Sequence, residues 1–376
     1  MLINSRLVTI DSSHWINLTK AARSASSAMR EKAYAFPQRL LDRGYLLTLS
    51  WHHLEELLSI EDDAIAEARL AFIADLPHVA WIRSLDPAQA LGSILDIVAA
   101  EVQAIAAGAA TLSDVRDCAK TTLIRYGSGL DALEPGLWVW RALRPEFIRR
   151  NHAARRLTAI APAKFTDGAA TMADLLEGRM RSPEDSRSML AAMAKALGQE
   201  ISDKGDLRIQ DPQGVADEFF EEVADMAPWR ASSVWDFIVQ TSAMRGLDAD
   251  EIKPDMTIDQ IGEICVFRST LRTVAEKLDR PWDDFRRSIR MEQCPHWVIE
   301  DSLARHRQQE LRREGGDLND GYLAVLAAYV DRLYVDKRKA ENFRRANAKV
   351  AALKPLIGGV RKAANYFDIP DQLDAD

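Results

Sequence analysis

Short apolar runs rich in β-branched and aromatic residues lie only near the two ends of this chain. Three of them, at 7–10, 45–49 and 79–82, come early in the sequence, and a fourth, at 333–335, comes close to the end. Each run is predicted to be a buried strand, and helical patterns alternate with these strands. Between 87 and 290 the composition and spacing predict helices alone. This arrangement predicts an α/β fold with parallel strands, discontinuous in sequence and interrupted by a helical insertion.

The chain is long enough for more than one domain. It has 376 residues, 47% of them hydrophobic, which is enough to bury a separate core in each part. We predict three segments: the first part of the α/β domain at 1–86, an α-helical insertion at 87–298, and the second part of the α/β domain, with a basic tail, at 299–376.

Cysteine usage and hydropathy indicate the cellular compartment in which the protein is expected. The three cysteines are widely spaced and odd in number, which favours neither a disulfide framework nor a zinc site and is typical of the reducing cytoplasm. No apolar run reaches the roughly 18 residues that a membrane span needs, and the N-terminus lacks the apolar stretch of a secretory signal. The sequence therefore predicts a soluble, cytoplasmic protein without a membrane partner.

Charge is unevenly distributed along the chain. The net charge is −8, which by itself disfavours nucleic acid, but the local charge matters more than the total. Residues 331–362 contain ten Lys/Arg against three acids, and residues 141–156 contain six Arg against one Glu. Taken alone, each run is typical of a solvated helix face.

Four acidic residues follow predicted strands or lie on the helices next to them. Asp11 and Asp336 directly follow the first and the last predicted strand. Asp320 opens the helix that leads into the last strand, and Glu56 lies in the first turns of the helix after the second strand. Because reactive groups in an open parallel sheet collect at the carboxyl ends of the strands, all four can meet at one edge of the sheet.

A cluster of four carboxylates repels itself unless cations occupy it. Hard oxygen ligands of this kind suit Mg²⁺ or Mn²⁺, and two such ions can activate a water molecule and stabilise the leaving oxygen of a phosphodiester. The pattern therefore indicates a metal site that hydrolyses phosphodiesters.

Each acid also has an ordinary structural explanation. Asp11 can simply begin a turn before a helix, Asp336 can end a strand, and Asp317 can be an N-cap with Asp320 at the third helical position. Glu56 lies opposite the apolar face of its helix, where a surface acid is expected. What favours a site is the ordered placement of the set at strand ends and helix starts.

Two histidines precede Glu56 on the same helix. His52 and Glu56 are four residues apart and could share a ligand face, but no third ligand follows nearby. We therefore predict that His52 and His53 belong to a polar helix face, with His53 packing near the acids.

Three sequence segments resemble the PIN-like family of nucleases. LVTIDSS resembles the family's first strand and first acid, which corresponds to Asp11. LTLSWHHLEELL is similar to the second strand and the following helix, where a Ser precedes the acid by six residues and a Leu follows it, and this spacing selects Glu56. GGDLNDGYLAVLAAYVDRLYVDKR is similar to the element with the third and fourth acids, which correspond to Asp320 and Asp336, with Asp317 as an accessory acid.

The resemblance covers roughly residues 1–85 and 300–345 and implies a PIN-like parallel sheet flanked by helices. It implies that one or two Mg²⁺ or Mn²⁺ ions are bound by the acids, and that the substrate is RNA, often single-stranded, with DNA as the other polymer that such a site can cut. The catalytic and metal-binding residues that it implies are Asp11, Glu56, Asp320 and Asp336, with Asp317 as a further ligand. Neighbouring cations would hold the polymer backbone, and the candidates are Lys337, Arg338, Lys339, Arg344 and Arg345.

Two features depart from a minimal PIN-like domain. The helical insertion is not part of it, and no closing strand is predicted after Asp336, because residues 349–366 have the pattern of helix and loop. The leading hypothesis is a Mg²⁺- or Mn²⁺-dependent endoribonuclease whose insertion selects a substrate or a partner. The alternative is a catalytically inactive scaffold that binds nucleic acid or a protein partner through the insertion.

Overall fold

The computed structural model divides the chain into two compact units. The first unit comprises Met1–Asn151, Ser288–Gln309 and Leu318–Asp376, and the second comprises His152–Arg287 and Glu310–Asp317. The residues that the structure describes are 5–161, 167–176, 182–226, 231, 233–308 and 317–373.

The first unit is built on a six-stranded mixed sheet, so the prediction of an α/β fold is confirmed. The strands are β1 (Arg6–Ile10), β2 (Tyr45–Leu49), β3 (Val79–Ile82), β4 (Ile124–Gly127), β5 (Arg332–Val335) and β6 (Gly359–Lys362). Their order in the sheet is β4-β3-β2-β1-β5-β6. Strand β4 is antiparallel to β3, and all the other pairs are parallel.

Helices make up most of the remaining described chain. In chain order they are α1 (Ser12–Ala22), α2 (Ser27–Leu41), α3 (Trp51–Leu58), α4 (Asp63–Ala74), α5 (Ile94–Ala106), α6 (Leu112–Leu123), α7 (Gly129–Ala132), α8 (Leu137–Ile160), α9 (Met172–Leu175), α10 (Pro183–Lys204), α11 (Pro212–Met226), α12 (Val234–Met244), α13 (Ile258–Lys277), α14 (Trp282–Ser288), α15 (Pro295–His306), α16 (Asp317–Val325), α17 (Lys337–Lys349), α18 (Leu353–Leu356) and α19 (Ile369–Leu373). Among the described residues, no helix is both long enough and apolar enough to cross a bilayer.

Apolar side chains cover both faces of the sheet. Successive residues of a strand point to opposite faces, and in β1 Val8 and Ile10 join a core that includes Trp15 and Phe36. Leu7, which precedes Val8 and therefore points to the opposite face, joins a second core there. Burial on both faces explains why the central strands are almost continuously apolar in sequence.

Three helices begin directly after strands of the parallel part of the sheet, and a polar residue lies at each junction. Asp11 is the N-cap of α1, Ser50 precedes α3 in the same way, and Asp336 is the N-cap of α17. A capping side chain satisfies backbone N–H groups that the first helical turn leaves without partners. Because β1, β2 and β5 are parallel neighbours, these three junctions lie along one edge of the sheet.

The second unit contains helices and two small apolar cores. Leu197, Ile201 and Phe220 belong to the core shared by α10 and α11. Leu247 and Ile261 belong to the other core, in which α12 and α13 take part. A prediction of helices alone for this part of the chain agrees with its described residues, apart from one isolated bridge between two threonines.

The predicted insertion at 87–298 is longer at both ends than the second unit. Helices α5, α6 and α7, most of α8, and strand β4 belong to the first unit, as does α15, which begins inside the predicted insertion. The prediction that no strand lies between 87 and 290 is wrong at β4. That strand follows α6 without a turn signal, and its Ile-Arg-Tyr-Gly sequence alternates over only four residues.

The prediction that 349–366 contains only helix and loop is also wrong, because β6 adds a parallel strand beside β5. Its sequence, Gly-Val-Arg-Lys, has one strongly strand-forming residue. An edge strand needs fewer apolar side chains than a central one, and charged residues are common there. The sequence signal for β6 was therefore weak.

Candidate metal centre

The four acids singled out in the sequence converge around one lysine. The Nζ of Lys339 lies 2.6 Å from Asp320 Oδ1, 3.7 Å from Asp11 Oδ2 and 3.8 Å from Asp336 Oδ2. Glu56 is close enough for the charges of Asp320, Lys339 and Asp11 to act on its pKa. We call these five residues the acid cluster. It lies at the carboxyl ends of β1 and β5.

Capping fixes the orientation of two of the carboxylates. Oδ1 of Asp11 accepts hydrogen bonds from the Ser13 hydroxyl at 2.7 Å and from the His14 backbone N–H at 3.1 Å. Oδ1 of Asp336 accepts one from the backbone N–H of Lys339 at 2.8 Å. In each residue Oδ1 serves the helix while Oδ2 is the oxygen nearer to the lysine ammonium. Both acids therefore serve as helix N-caps, and this structural role is compatible with a site.

Glu56 lies opposite the leucines of α3, as its sequence position predicts, but it is not a surface acid. The residue is half-buried, and its Oε2 atom is inaccessible and has no hydrogen-bond partner among the described residues. Burial raises the pKa of Glu56 to about 7, and the nearby Asp320 and Asp11 charges act in the same direction. The Ser12 hydroxyl and the Lys339 ammonium oppose that rise. Near neutral pH, Glu56 is therefore poised between its two protonation states.

Lys339 compensates part of the negative charge of the acid cluster. Burial alone lowers the pKa of its ammonium, but Asp320, Asp11 and Asp336 outweigh burial and raise it. For Asp11, burial raises the pKa, and Lys339, His14 and the capping hydrogen bonds outweigh it and lower it. Four carboxylates against one ammonium still leave an excess of negative charge when Glu56 is ionised.

Two polar residues of the acid cluster's wall were not predicted from the sequence. Ser12 and His14, on the first turn of α1, are 1% and 3% exposed. Among the described residues, both ring nitrogens of His14 have no hydrogen-bond partner. The Ser12 hydroxyl is close enough to Glu56 to lower the pKa of that carboxyl. The sequence feature that could have indicated these two residues is the polar segment DSSH, directly after the first strand.

The two histidines of α3 do not form the polar surface that was predicted, since His52 and His53 are 6% and 1% exposed. The Nδ1 of His53 accepts a hydrogen bond from the Ser50 N–H at 3.0 Å, and its Nε2 lies 3.0 Å from the Ile10 carbonyl oxygen. Burial lowers the pKa of His53 to about 4, so the ring is neutral. His53 therefore ties β1 to α3 and, as predicted, packs near the acids.

The cations proposed for the polymer backbone are divided among different environments. Lys339 lies within the acid cluster, and its side chain is only 18% exposed. Arg344 and Arg345 both pair with Glu341. Lys337 is exposed and Arg338 half-buried on the first turn of α17. The side chain of Asp317, the predicted accessory acid, lies outside the described residues.

A separate cavity of about 680 Å³ lies near the amino ends of β5 and β6, away from the acid cluster. We call it the basic cavity, because six cationic and two acidic residues line it. The cationic residues are Arg116, Lys120, Arg332, Arg344, Lys354 and Arg361. Both acids are engaged: Asp331 accepts a hydrogen bond from the Leu7 N–H at 2.7 Å, and Asp117 pairs with Arg116. Four of the ten cations of the C-terminal basic run line this cavity: Arg332, Arg344, Lys354 and Arg361.

Glu101, Cys294 and His296 also lie close together and fully buried, in a spacing that could hold a metal ion. The Glu101 carboxylate already accepts hydrogen bonds from the His296 backbone N–H at 2.9 Å and the Tyr329 hydroxyl at 2.5 Å, and it lies 2.6 Å from His296 Nδ1. Burial and the Glu101 charge raise the pKa of the Cys294 thiol, which keeps it protonated. This closed network holds α5 against α15.

The acid cluster offers carboxylate oxygens, which are the ligands that Mg²⁺ and Mn²⁺ prefer, and one of them, Glu56 Oε2, is buried without a hydrogen-bond partner among the described residues. In the described part of the chain, only the Glu101 group places three possible ligand atoms within 4.8 Å of one another. Comparison with protein-family models, with characterised proteins and with solved structures finds no match to this chain. The function therefore has to be argued from the geometry alone.

Proposed function

We propose that this protein is a PIN-like, metal-dependent nuclease that cuts RNA internally. The observation that carries the proposal is the convergence of Asp11, Asp320 and Asp336 on one cation-binding point, with Glu56 beside them. These acids come from sequence positions more than three hundred residues apart, and a mostly parallel sheet brings its strand ends to one edge.

In this proposal Asp11, Glu56, Asp320 and Asp336 would hold one or two Mg²⁺ or Mn²⁺ ions. A bound divalent ion activates water as a nucleophile and stabilises the oxygen that leaves the phosphodiester. The remaining steps fall to the chain's own residues. The capped Asp11 and Asp336 keep their Oδ2 atoms directed at the site, and Glu56 must lose its proton before it can bind a cation.

Lys339 has two roles in this proposal. In the metal-free protein its ammonium neutralises part of the acid cluster, which lowers the repulsion between the carboxylates. A dication must compete with this ammonium for Asp320, the nearest acid. The substrate's phosphates need local cations, and the exposed Lys337 and neighbouring Arg338 on the first turn of α17 stand beside the fourth acid.

The test is a cleavage assay on mixed RNA and DNA with EDTA, Mg²⁺ or Mn²⁺. We expect cleavage of RNA only with a divalent metal, and its loss in Asp11→Asn and in Asp320→Asn while the circular dichroism spectrum is unchanged. Asp301→Asn is the matched control, because Asp301 pairs at the surface with Arg305, one helical turn away on α15. Normal cleavage by Asp320→Asn, or no cleavage by the wild-type chain with any divalent metal, would refute the chemistry.

A second candidate function is a catalytically inactive scaffold that binds nucleic acid or a protein partner. The basic cavity favours it, because six Lys/Arg in one depression attract phosphates without help from the acids. The salt bridge from Lys339 to Asp320 also favours it, since an internal cation can make a metal unnecessary. A scaffold predicts RNA binding that is salt-sensitive, unaffected by Asp320→Asn and never followed by cleavage. Partner capture through the helical segment at 152–287 is the protein-binding form of the same candidate.

A further inference from the structure

The basic cavity is built from two distant parts of the chain. Arg116 and Lys120 come from α6, and the other four cations come from residues 332–361, all within the first unit. The guanidinium of Arg116 donates to the carbonyl oxygen of Leu356 at 3.2 Å, 240 positions later, which holds α6 against α18. The cavity volume of about 680 Å³ lies in the range of small-molecule sites, roughly 300–1,000 Å³.

Positive charge exceeds negative charge in the basic cavity. Six cationic and two acidic residues line it, an excess of four. Two of the arginines are paired with acids, Arg116 with Asp117 and Arg344 with Glu341. Lys120 and Lys354, in contrast, form no ion pair with any residue that the structure describes. Because like charges held close together repel one another, the cavity is expected to attract an anion.

The other basic run of the chain shows what cations with a purely structural role look like. Every arginine at 141–150, on α8, forms an ion pair with an acid of the first unit. The pairs are Arg141–Glu67, Arg144–Asp63, Arg149–Glu146 and Arg150–Glu55. These contacts explain that run by themselves, whereas Lys120 and Lys354 line a cavity without such acids. The basic cavity is therefore not simply a second surface of paired charges.

The lining and the charge of the basic cavity indicate the class of the anion. Ile357 and Val360, both half-buried, line the cavity beside the cations, and apolar lining suits an organic body more than an inorganic ion. A terminal phosphate group carries roughly −1.5 to −2 at pH 7, whereas an internal phosphodiester carries about one charge per nucleotide. An excess of several positive charges in one cavity therefore favours the terminal group.

We propose that the basic cavity is a binding site for the terminal phosphate of a nucleotide, with the sugar or base against the apolar lining. A free nucleotide and the phosphorylated end of an RNA chain both offer this chemistry. The cavity is separate from the acid cluster, because Arg332 begins β5 whereas Asp336 follows the end of that strand. The inference therefore does not rest on the proposed metal site.

Isothermal titration calorimetry of the full chain in EDTA, with AMP, ATP and adenosine as probes, tests the site without any divalent ion. We expect AMP and ATP to bind and adenosine not to bind. Lys120→Gln/Lys354→Gln should weaken AMP and ATP binding at least roughly tenfold, because charge-assisted hydrogen bonds to phosphate are about twice as strong as neutral ones. Lys20→Gln/Lys32→Gln is the matched control, since it removes two exposed lysines outside the cavity lining.

Fluorescence anisotropy with a single-stranded RNA oligonucleotide, carrying either a 5′-phosphate or a 5′-hydroxyl, distinguishes the two sources of the phosphate. Tighter binding of the phosphorylated RNA, lost in Lys120→Gln/Lys354→Gln, identifies the RNA end as the ligand. Binding of AMP and ATP without any effect of the 5′-phosphate identifies a free nucleotide. The proposal is overturned if none of the phosphorylated probes binds, if adenosine binds as tightly as AMP, or if both double variants bind AMP and ATP equally.

Discussion

The Oδ2 atom of Asp11 accepts a hydrogen bond of 3.1 Å from the backbone N–H of Asp336, a residue 325 positions later in the chain. The bond joins the carboxyl ends of two parallel neighbours, β1 and β5, and it does so through a side chain that also caps α1. Each of the two acids is therefore held by the start of a helix. This rigidity is what a site built from distant segments requires, because a ligand displaced by even a fraction of an ångström loses much of its affinity.

Removing the ammonium from the acid cluster should have opposite effects on the metal-free and the metal-bound protein. Lys339→Met leaves the carboxylates without their cation, and we expect metal-free stability to fall by about 2 kcal/mol, since the pair with Asp320 is mostly but not fully buried. The affinity for Mn²⁺ should rise at least roughly tenfold, because a unit charge about 4 Å away is worth a few kcal/mol near a protein surface.

Urea unfolding in EDTA and Mn²⁺ titration measure these two effects of Lys339→Met. Lys337→Met is the control, because Lys337 is exposed on the same helix turn and should change neither quantity. If Lys339→Met instead weakens Mn²⁺ binding, the ammonium supports the ion rather than competing with it.

Glu56 should make the metal-free protein less stable as pH rises through a defined window. Because burial raises the folded-state pKa from 4.5 to about 7, the folded protein holds a proton that the unfolded chain has released between these two values. Stability therefore falls across the window, by on the order of 3 kcal/mol in total. His53, with its pKa lowered to about 4, acts in the opposite direction over a similar range and masks the trend in the wild-type protein alone.

The contribution of Glu56 is the difference in the free energy of unfolding between the wild-type protein and Glu56→Gln, measured by urea unfolding in EDTA from pH 4.5 to 7.5. As pH rises, the variant should become more stable relative to the wild-type protein, and the difference should level off above pH 7. Mn²⁺ affinity of the wild-type protein should rise over the same range as Glu56 loses its proton. A difference that does not change with pH would show that Glu56 is ionised throughout.

The central part of the sheet and the meeting of the acids could be predicted from the sequence. Strands β1, β2, β3 and β5 are buried on both faces, and their sequences are therefore almost continuously apolar. Because β1 and β5 are parallel, Asp11 and Asp336, which follow them, lie at the same edge of the sheet. The edge strands β4 and β6 could not be identified, because an edge tolerates glycine and charged residues.

The side chains that complete the site were harder to predict. Lys339 is one of ten cations in its run, and only the N-cap at Asp336 defines its place, because a residue three positions into a helix points back toward the helix start. The burial of His14 could not be predicted either, because it depends on the packing of α1 and not on a sequence pattern.

The basic cavity should affect nucleic-acid affinity without affecting the metal. In Lys120→Gln/Lys354→Gln we expect weaker binding of single-stranded RNA and a salt dependence reduced by about 1.4 in slope, which corresponds to two phosphate contacts. Mn²⁺ affinity should be unchanged, because neither lysine belongs to the acid cluster. Filter binding over a range of salt concentrations measures this effect, and Lys20→Gln/Lys32→Gln, which leaves the cavity lining intact, is the control. If both double variants bound RNA with equal affinity, the basic cavity would not contribute to substrate binding.

The buried Glu101–His296 pair should behave as a structural element and not as a second metal site. Burial lowers the pKa of His296, but the charge and hydrogen bond of Glu101 outweigh burial and raise it. The stabilisation that this pair gives is thus fully present below pH 6.5 and is lost as pH rises through the raised pKa. Glu101→Gln should cost about 3 kcal/mol at pH 6, because it leaves a buried cation without its partner, and the cost should shrink at alkaline pH.

Urea unfolding of Glu101→Gln at pH 6 and pH 9 measures this cost, with Asp301→Asn, on the same helix as His296, as the control. Asp301 pairs at the surface with Arg305, so its neutral amide should change stability little. Mn²⁺ affinity should be the same in Glu101→Gln as in the wild-type protein, since the acid cluster is built from other residues. If Glu101→Gln lost Mn²⁺ binding, the metal site would have to be assigned to the group around the buried His296 of α15, and not to the acid cluster at the carboxyl ends of β1 and β5.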